Sequence, residues 1–364
     1  MKNLVLILVA VLAVFQARCE RLEFTVDGYT FIIVNDVDGE EAASIISVSD
    51  EALSEAKITG ILDIPDSFTK DRVTYPVTEI QANVFYGKGL ENVEELYLPE
   101  ECLFLLQNNF GEMSNLRKVH FGDRINMILN DNFCNMPCLE EFDLPESFRN
   151  FNRGFLSNVG LKKIILPADY SASIYGATNG PTLCNLPNLE YLSLGNASYI
   201  DGAALYNIPL LPALTIPGAC RSLDGKVIYN MAGLKSLRFA KRTISEFFID
   251  PMAVNECPSL TDYYVEDAVP FEVDIRNGKN IAVPYSQCTL HVPAGAKEAY
   301  ASAPFWSGFG TIVEDAAGVD AVEAEEDDGA AKWYSVDGRE IDPSGFRGLA
   351  LRRSGSKVTK HVLK

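Results

Sequence analysis

The chain has 364 residues, 47% hydrophobic and 22% charged, enough apolar material for one large domain or two ordinary ones. Thirty-one Lys and Arg stand against 50 Asp and Glu, a net charge of −19. That balance argues against nucleic acid and anionic membranes as partners, because phosphates would be repelled over most of the surface. Three His and two Trp argue against a His-rich metal enzyme and against a polymer cleft paved with Trp. The charge is also uneven. Residues 312–331 hold eight acids and no base, residues 332–364 carry a net +5, and the remainder carries −16.

Met1-Lys2-Asn3 leads into an apolar run from Leu4 to Phe15, followed by Gln16-Ala17-Arg18-Cys19. A run of 12 residues is too short to span a bilayer and suits the core of an export signal, with cleavage after Ala17 or Cys19. A lipoprotein signal with Cys19 as the lipidated residue is the alternative, although Arg18 replaces the small residue usual before such a Cys. No later stretch is long and apolar enough to span a membrane, so none is expected once the signal is removed. Seven Cys follow Cys19, an odd number that fits a complete disulfide framework poorly. Cys134-x-x-x-Cys138 lacks a second pair at zinc-ligand spacing.

From residue 59 the chain repeats. Asn135-Met-Pro-Cys-Leu-Glu-Glu-Phe-Asp-Leu-Pro145, Asn185-Leu-Pro-Asn-Leu-Glu-Tyr-Leu-Ser-Leu-Gly195 and Asn230-Met-Ala-Gly-Leu-Lys-Ser-Leu-Arg-Phe-Ala240 share N-x-P-x-L-x-x-L-x-L-P. The first Leu position falls at Val93, Leu116, Leu139, Leu161, Leu189, Leu211, Leu234 and Leu260, in steps of 23, 23, 22, 28, 22, 23 and 26. Weaker copies at Ile61–Pro65 and Thr289–Pro293 bring the total to ten coils. This period and core predict a leucine-rich-repeat solenoid. Its x-L-x-L-x segments form short parallel strands on a concave face, stacked so that alternate residues bury one another. The Pro after each strand ends the ladder, and the recurring Asn is expected to satisfy backbone groups inside the turn. Leu211-Pro212 puts a Pro where it removes a ladder bond. Cys134, Cys184 and Cys257 occupy repeat positions and read as small core fillers.

The array with its entry and exit resembles the BspA-type leucine-rich repeat proteins, surface and secreted proteins of Bacteroidetes. The entry is Phe24-Thr-Val-Asp-Gly-Tyr-Thr-Phe31, Ile64-Pro-Asp-Ser-Phe68 and Val73-Thr-Tyr-Pro-Val-Thr-Glu-Ile80; the exit is Leu290-His-Val-Pro-Ala-Gly-Ala-Lys-Glu-Ala-Tyr300 with Ala303-Pro-Phe-Trp306. The resemblance implies a terminal coil with a capping helix, export to the cell surface or beyond, and an adhesin-like role with no shared catalytic residues. The partners it implies are a host matrix protein, another bacterial surface protein or a glycan. Trp333-Tyr-Ser-Val-Asp-Gly-Arg339 through Val358-Thr-Lys-His-Val-Leu-Lys364 is similar to the carboxy-terminal sorting segments of type IX secretion, and reads as two or three short strands with a turn at Asp337-Gly338. The expected organisation is a signal peptide over 1–19, a β-rich N-terminal cap over 20–58, the solenoid with its terminal cap over 59–314, an acidic linker over 315–331 and a small β tail over 332–364.

Enzyme motifs are absent, no cofactor or metal is implied, and the reading is of a binding protein rather than an enzyme. The candidate surface is the outward side of the strands. One row reads Glu95, Lys118, Glu141, Lys163, Tyr191, Ala213, Ser236, Asp262; the other reads Tyr97, His120, Asp143, Ile165, Ser193, Thr215, Arg238, Tyr264. The first coils alternate acid and base, a favourable cross-strand pattern. Tyr97, His120, Tyr191, Arg238 and Tyr264 are the candidate contact residues, because aromatic and Arg side chains dominate interface energetics. His120 and His291 take equivalent outward positions about seven coils apart, on the order of 35 Å, and read as separate solvated surface residues. The alternative to a binding protein is a structural spacer at the cell surface without a specific ligand.

Overall fold

Each repeat buries its anchor and turns three times per coil, giving a parallel β-solenoid. In the computed structural model the described residues are 23–151, 154–175, 181–250, 252–273, 285–315, 332–335, 340–341, 348–354 and 357–363. The apolar run read as an export signal, the acidic stretch from residue 316 to 331 and the Asp337-Gly338 turn lie outside them. The chain separates into two compact units, Met1–Asp315 and Ala316–Lys364.

The anchors Val93, Leu116, Leu139, Leu161, Leu189, Leu211, Leu234 and Leu260 are all buried in one continuous apolar core. Strands follow at all ten expected positions, and Thr311–Asp315 adds an eleventh beside Thr289–Pro293. Within this first ladder, Ile61–Asp63, Glu95–Tyr97, Lys118–His120 and Glu141–Phe142 pair in parallel. Lys163–Ile165 pairs with Tyr191–Ser193, and Ala213–Ile216 opens the run that ends at Thr311–Asp315. The sheet is interrupted between Tyr191–Ser193 and Ala213–Ile216. Pro212 lies just before the second of these strands. Its carbonyl still accepts the N–H groups of Lys235 and Ser236, but it has no N–H to return to the coil before it.

Two further ladders were not anticipated. Phe133–Cys134, Leu156–Ser157, Leu183–Cys184, Leu205–Tyr206, Ile228–Tyr229 and Val254–Asn255 form one six-stranded parallel sheet. Phe104–Leu105, Met127–Ile128 and Asn150–Phe151 begin another, and Ser173–Tyr175, Tyr199–Asp201, Ser222–Asp224 and Phe248–Ile249 form a separate four-stranded sheet on later coils. Most of these strands have only two residues, too short to show a period of two in the sequence.

The N-terminal cap is a mixed sheet. Glu23–Val26, Tyr29–Asn35 and Glu41–Val48 pair antiparallel; Val73–Ile80 then joins Glu41–Val48 in parallel and passes the ladder on to Phe104–Leu105. The cap therefore covers the open end of the solenoid by strand pairing as well as by packing. At the other end, helix Lys297–Ser302 and a 3₁₀ turn at Trp306–Gly308 close the stack. Trp306 is fully buried, edge-on to Phe239, Phe271, Tyr300 and Phe305, and its indole N–H donates to the Phe271 carbonyl at 3.0 Å.

The recurring Asn differs from expectation. Asn135, Asn158, Asn185, Asn207 and Asn230 all take the left-handed conformation, with φ between 52° and 59°. Asn tolerates that region better than other residues with a Cβ, which explains why the position recurs. Their amides bond to one another rather than to buried backbone: Asn158 to Asn135 at 2.8 Å, Asn207 to Asn185 at 2.8 Å, Asn230 to Asn207 at 3.3 Å. The backbone role belongs to the buried Asn109 and Asn132, whose amides donate to the carbonyls of Gln81, Leu105, Leu106 and Leu129.

Gly160 stands where most coils carry a larger residue, because a Cβ there would lie 2.1 Å from the Pro137 carbonyl oxygen of the coil before. All seven described cysteines are free; Cys102, Cys184, Cys220 and Cys288 are buried, and Cys134, Cys138 and Cys257 partly so. Burial pushes the thiols of Cys102 and Cys220 up to about 12 and that of Cys134 up to about 11. In the second unit, Lys332–Ser335, Glu340–Ile341, Gly348–Ser354 and Lys357–Leu363 form an antiparallel sheet, four strands where two or three were expected. No helix among the described residues is long and apolar enough to cross a membrane.

Candidate functional site

The outward rows of the first ladder lie as their alternation requires, with Leu96, Val119, Ile164, Leu192, Leu214, Leu237, Tyr263 and Leu290 buried between them. What the rows do is set by pairings across neighbouring coils. Three local groups result.

In the early coils Tyr97 and His120 are directly opposed across paired strands, and their rings stack at 3.9 Å between centroids and 6° between planes. The Tyr97 hydroxyl donates to Glu95 Oε2 at 2.9 Å, and the same oxygen lies 3.2 Å from His120 Nε2. The Tyr97 and His120 hydrogen bonds together hold the Glu95 carboxyl below its usual range. Lys118 bridges to Glu141 on the next strand. The alternating charges are thus engaged with one another, and the Tyr97 and His120 rings cover each other's faces. His120 is not the freely solvated residue expected.

In the middle coils Tyr191 is half exposed, at 50%, with Ile165 at 46% beside it. Lys163 sits over the Tyr191 ring at 5.5 Å, on the paired strand. Tyr191 therefore presents an aromatic face at the surface with one cation alongside.

In the late coils Arg238, Tyr264 and His291 are in register on three consecutive strands. The Arg238 guanidinium lies over the Tyr264 ring at 4.7 Å, and Tyr264 stacks on His291 at 4.2 Å and 15°. His291 Nε2 is 2.9 Å from Asp262 and its Nδ1 2.9 Å from Asp315, so a carboxylate faces each ring nitrogen from the strand on either side. Arg238 also approaches Glu266 at 3.7 Å. Burial works against the Asp262 charge, but hydrogen bonds from Thr261 and His291 outweigh it, and its carboxyl titrates below the usual range. Burial raises the Tyr264 hydroxyl, as does the charge of Asp262. His291, expected to be a solvated surface residue like His120, is instead the centre of a polar staple across three strands.

The structure thus brings Tyr97 to His120, and Arg238 to Tyr264, while Tyr191 stands in its own coil between them. Sequence reading missed the partners that fix these groups, chiefly Glu95, His291 and Asp315. It also missed the exposed Tyr175 and Tyr199, which sit on the later four-stranded ladder. Among the described residues no group of three or more His, Cys, Asp or Glu is placed to hold a metal ion.

Residues 65–175 match the family described as the BspA type leucine rich repeat region, in six copies. Among solved structures, the chain is similar to a leucine-rich repeat protein from Bacteroides ovatus, at 13% identity over 74% of this chain and 84% of that one, with a TM-score of 0.44. It is also similar to a leucine-rich repeat protein from Bacteroides capillosus, at 24% identity over 38% and 97%, with a TM-score of 0.31. A leucine rich cell surface protein from Faecalibacterium prausnitzii is similar at 13% identity over 82% and 96%, with a TM-score of 0.46. No curated protein matches the chain significantly. Residues 65–175 thus match the BspA-type leucine-rich repeat, and strands continue from them at a similar spacing to the terminal cap.

Proposed function

We propose that the chain is an exported binding protein that recognises a protein or glycan through the outward side of its first ladder, with Tyr191, Arg238 and Tyr264 as the main contacts and Tyr97 and His120 at its far end. The observation that carries this reading is the Arg238–Tyr264–His291 stack, fixed by Asp262 and Asp315. An aromatic and cationic surface already held in one arrangement loses little conformational freedom when a partner covers it, and such residues contribute most per contact at interfaces. Tyr191, exposed in the middle coils, extends the same side. The surface is shallow and polar, which suits a macromolecular partner; candidates are a host matrix protein, another bacterial surface protein or a surface glycan. Export and display at the cell surface or outside the cell follow from the Leu4–Phe15 run and complete the reading.

The test is a binding panel in which the mature chain is presented to immobilised matrix proteins, bacterial surface proteins and a glycan array. The proposal expects saturable binding to at least one of them. Uniform absence of saturable binding would favour a spacer whose coils set distance alone.

A further inference from the structure

The N-x-P segments of successive coils line up beside the six-stranded ladder, and a notch of about 430 Å³ opens among them. Pro137, Gly160, Pro187 and Pro209 form its apolar side, Asn158 and Asn185 its polar side. Three features define what it would accept. First, a row of rings is interrupted. Pro137 and Pro187 carry a ring where the coil between them has Gly160, and no larger residue fits there, because a Cβ would meet the Pro137 carbonyl oxygen. Second, the amide ladder is broken at the same coil. Ser157 and Cys184, the residues just before Asn158 and Asn185, pair in the same parallel register as Cys134 with Ser157 and Cys184 with Tyr206. The flanking amides are joined, Asn158 to Asn135 and Asn207 to Asn185, each at 2.8 Å. Asn185 makes no such bond to Asn158. Among the described residues, Asn185 Nδ2 meets no acceptor and Asn158 Oδ1 no donor. An open donor and an open acceptor therefore border the notch from strands about 4.8 Å apart. Third, no charged side chain lines the notch, in a chain whose net charge is −19.

The open pair calls for one atom that accepts from Asn185 and donates to Asn158. A hydroxyl oxygen does both, whereas a carboxylate only accepts and an ammonium only donates. An ion would also give up water here with no opposite charge to replace it. The Pro rings and the gap at Gly160 offer an apolar seat. Its size falls within the range of about 300–1,000 Å³ common for small-ligand sites, which join an apolar wall to a few placed polar groups. A pyranose answers all three features, since it is a neutral ring with C–H faces and hydroxyls on its rim.

We propose that this notch binds one pyranose residue of a neutral glycan. The ring sits in the gap left by Gly160 between Pro137 and Pro187, and one hydroxyl accepts from Asn185 Nδ2 and donates to Asn158 Oδ1. None of these residues belongs to the outward rows of the first ladder, so the site stands or falls independently of that surface.

Isothermal titration of the full chain with laminarihexaose, maltohexaose and chitohexaose tests this directly. The expected result is saturable binding of at least one of the three, one per chain. Asn185→Asp and Asn158→Asp put the same charge on the same ridge, at positions whose left-handed backbone Asp tolerates. Only the first removes the donor; the second keeps an acceptor. Asn185→Asp is therefore expected to weaken binding at least tenfold, and Asn158→Asp no more than threefold. Should Asn185→Asp lower the melting temperature, Asn185→Gly removes the amide without opposing the positive φ and is expected to cost at least tenfold, while Asn230→Gly, outside the notch, stays within twofold. No saturable binding of any of the three sugars, or equal loss in Asn185→Asp and Asn158→Asp, would overturn the proposal. Binding lost in the combined Tyr191→Ala, Arg238→Ala, Tyr264→Ala variant but kept in Asn185→Asp would overturn it too, by placing the sugar on the first ladder. So would binding of the neutral peptide Gly-Gln-Gly-Gln-Gly with the same dependence on Asn185, since the pair would then read amides rather than hydroxyls.

Discussion

Tyr264 is the middle of the late-coil stack, and removing its ring measures how firmly that surface is built. The ring lies between the Arg238 guanidinium at 4.7 Å and the His291 imidazole at 4.2 Å. A cation over an exposed ring is worth about 0.5–1 kcal/mol and a stacked aromatic pair about 0.5–1.5 kcal/mol, so Tyr264→Ala is expected to destabilise the late coils by about 1–2.5 kcal/mol. Tyr264→Phe keeps both ring contacts and is expected to cost less than about 0.5 kcal/mol. Trp306 is buried in the terminal cap next to these coils, and its fluorescence in a Trp333→Phe background reports their unfolding in urea. A double-mutant cycle with Arg238→Ala should return a coupling of about 0.5–1 kcal/mol. If Tyr264→Ala shifts the midpoint no more than Tyr264→Phe, or the cycle is additive, the stack is a coincidence of neighbouring residues and not a built surface.

Three further outcomes are expected. Gly160→Ala forces a Cβ against the Pro137 carbonyl oxygen and should lower the melting temperature by several degrees, whereas Gly308→Ala, with open space around it, should leave it within a degree; differential scanning fluorimetry compares the two. Because the Asp262 carboxyl titrates lower in the folded chain than when unfolded, its contribution is present above about pH 4 and is lost as the pH falls through the folded value. Asp262→Asn should therefore flatten the acid limb of a urea-midpoint profile, and an unchanged limb would remove Asp262 from the account. Cys102 and Cys220 should resist iodoacetamide in the native chain for hours at pH 8 and react at once in urea, read by mass spectrometry; fast native labelling would contradict their burial.

The solenoid was legible in the sequence because its strongest constraint is periodic. A coil cannot bury its inward face alone, so Leu116, Leu139, Leu161 and their counterparts must recur at near-constant spacing, and all of them are buried. The terminal cap was legible only through the resemblance of the exit segment, and there Trp306 packs against Phe305 and Phe309. The two other ladders were hidden, since strands such as Leu183–Cys184 and Leu205–Tyr206 offer two residues each and no alternation. The Asn position was visible as a repeat, but its cause is a left-handed turn, which reads the same in sequence as a backbone-bonding role. The candidate surface was legible only row by row. Register could be inferred from the repeat, and it places Arg238 beside Tyr264. That Asp315 grips His291 from the other side depends on the eleventh strand, which lies beyond the last recognisable repeat.

The central claim is that a partner is bound on the outward side of the first ladder. The most direct measurement is the affinity of the chain for the partner found in the binding panel, before and after Tyr191→Ala, Arg238→Ala and Tyr264→Ala are combined, with circular dichroism establishing that the coils remain folded. The account predicts a loss of at least a hundredfold, about 2.7 kcal/mol, because aromatic and Arg side chains at the centre of an interface each account for about 1 kcal/mol or more. Binding that survives the triple change within threefold, in a folded chain, would contradict it.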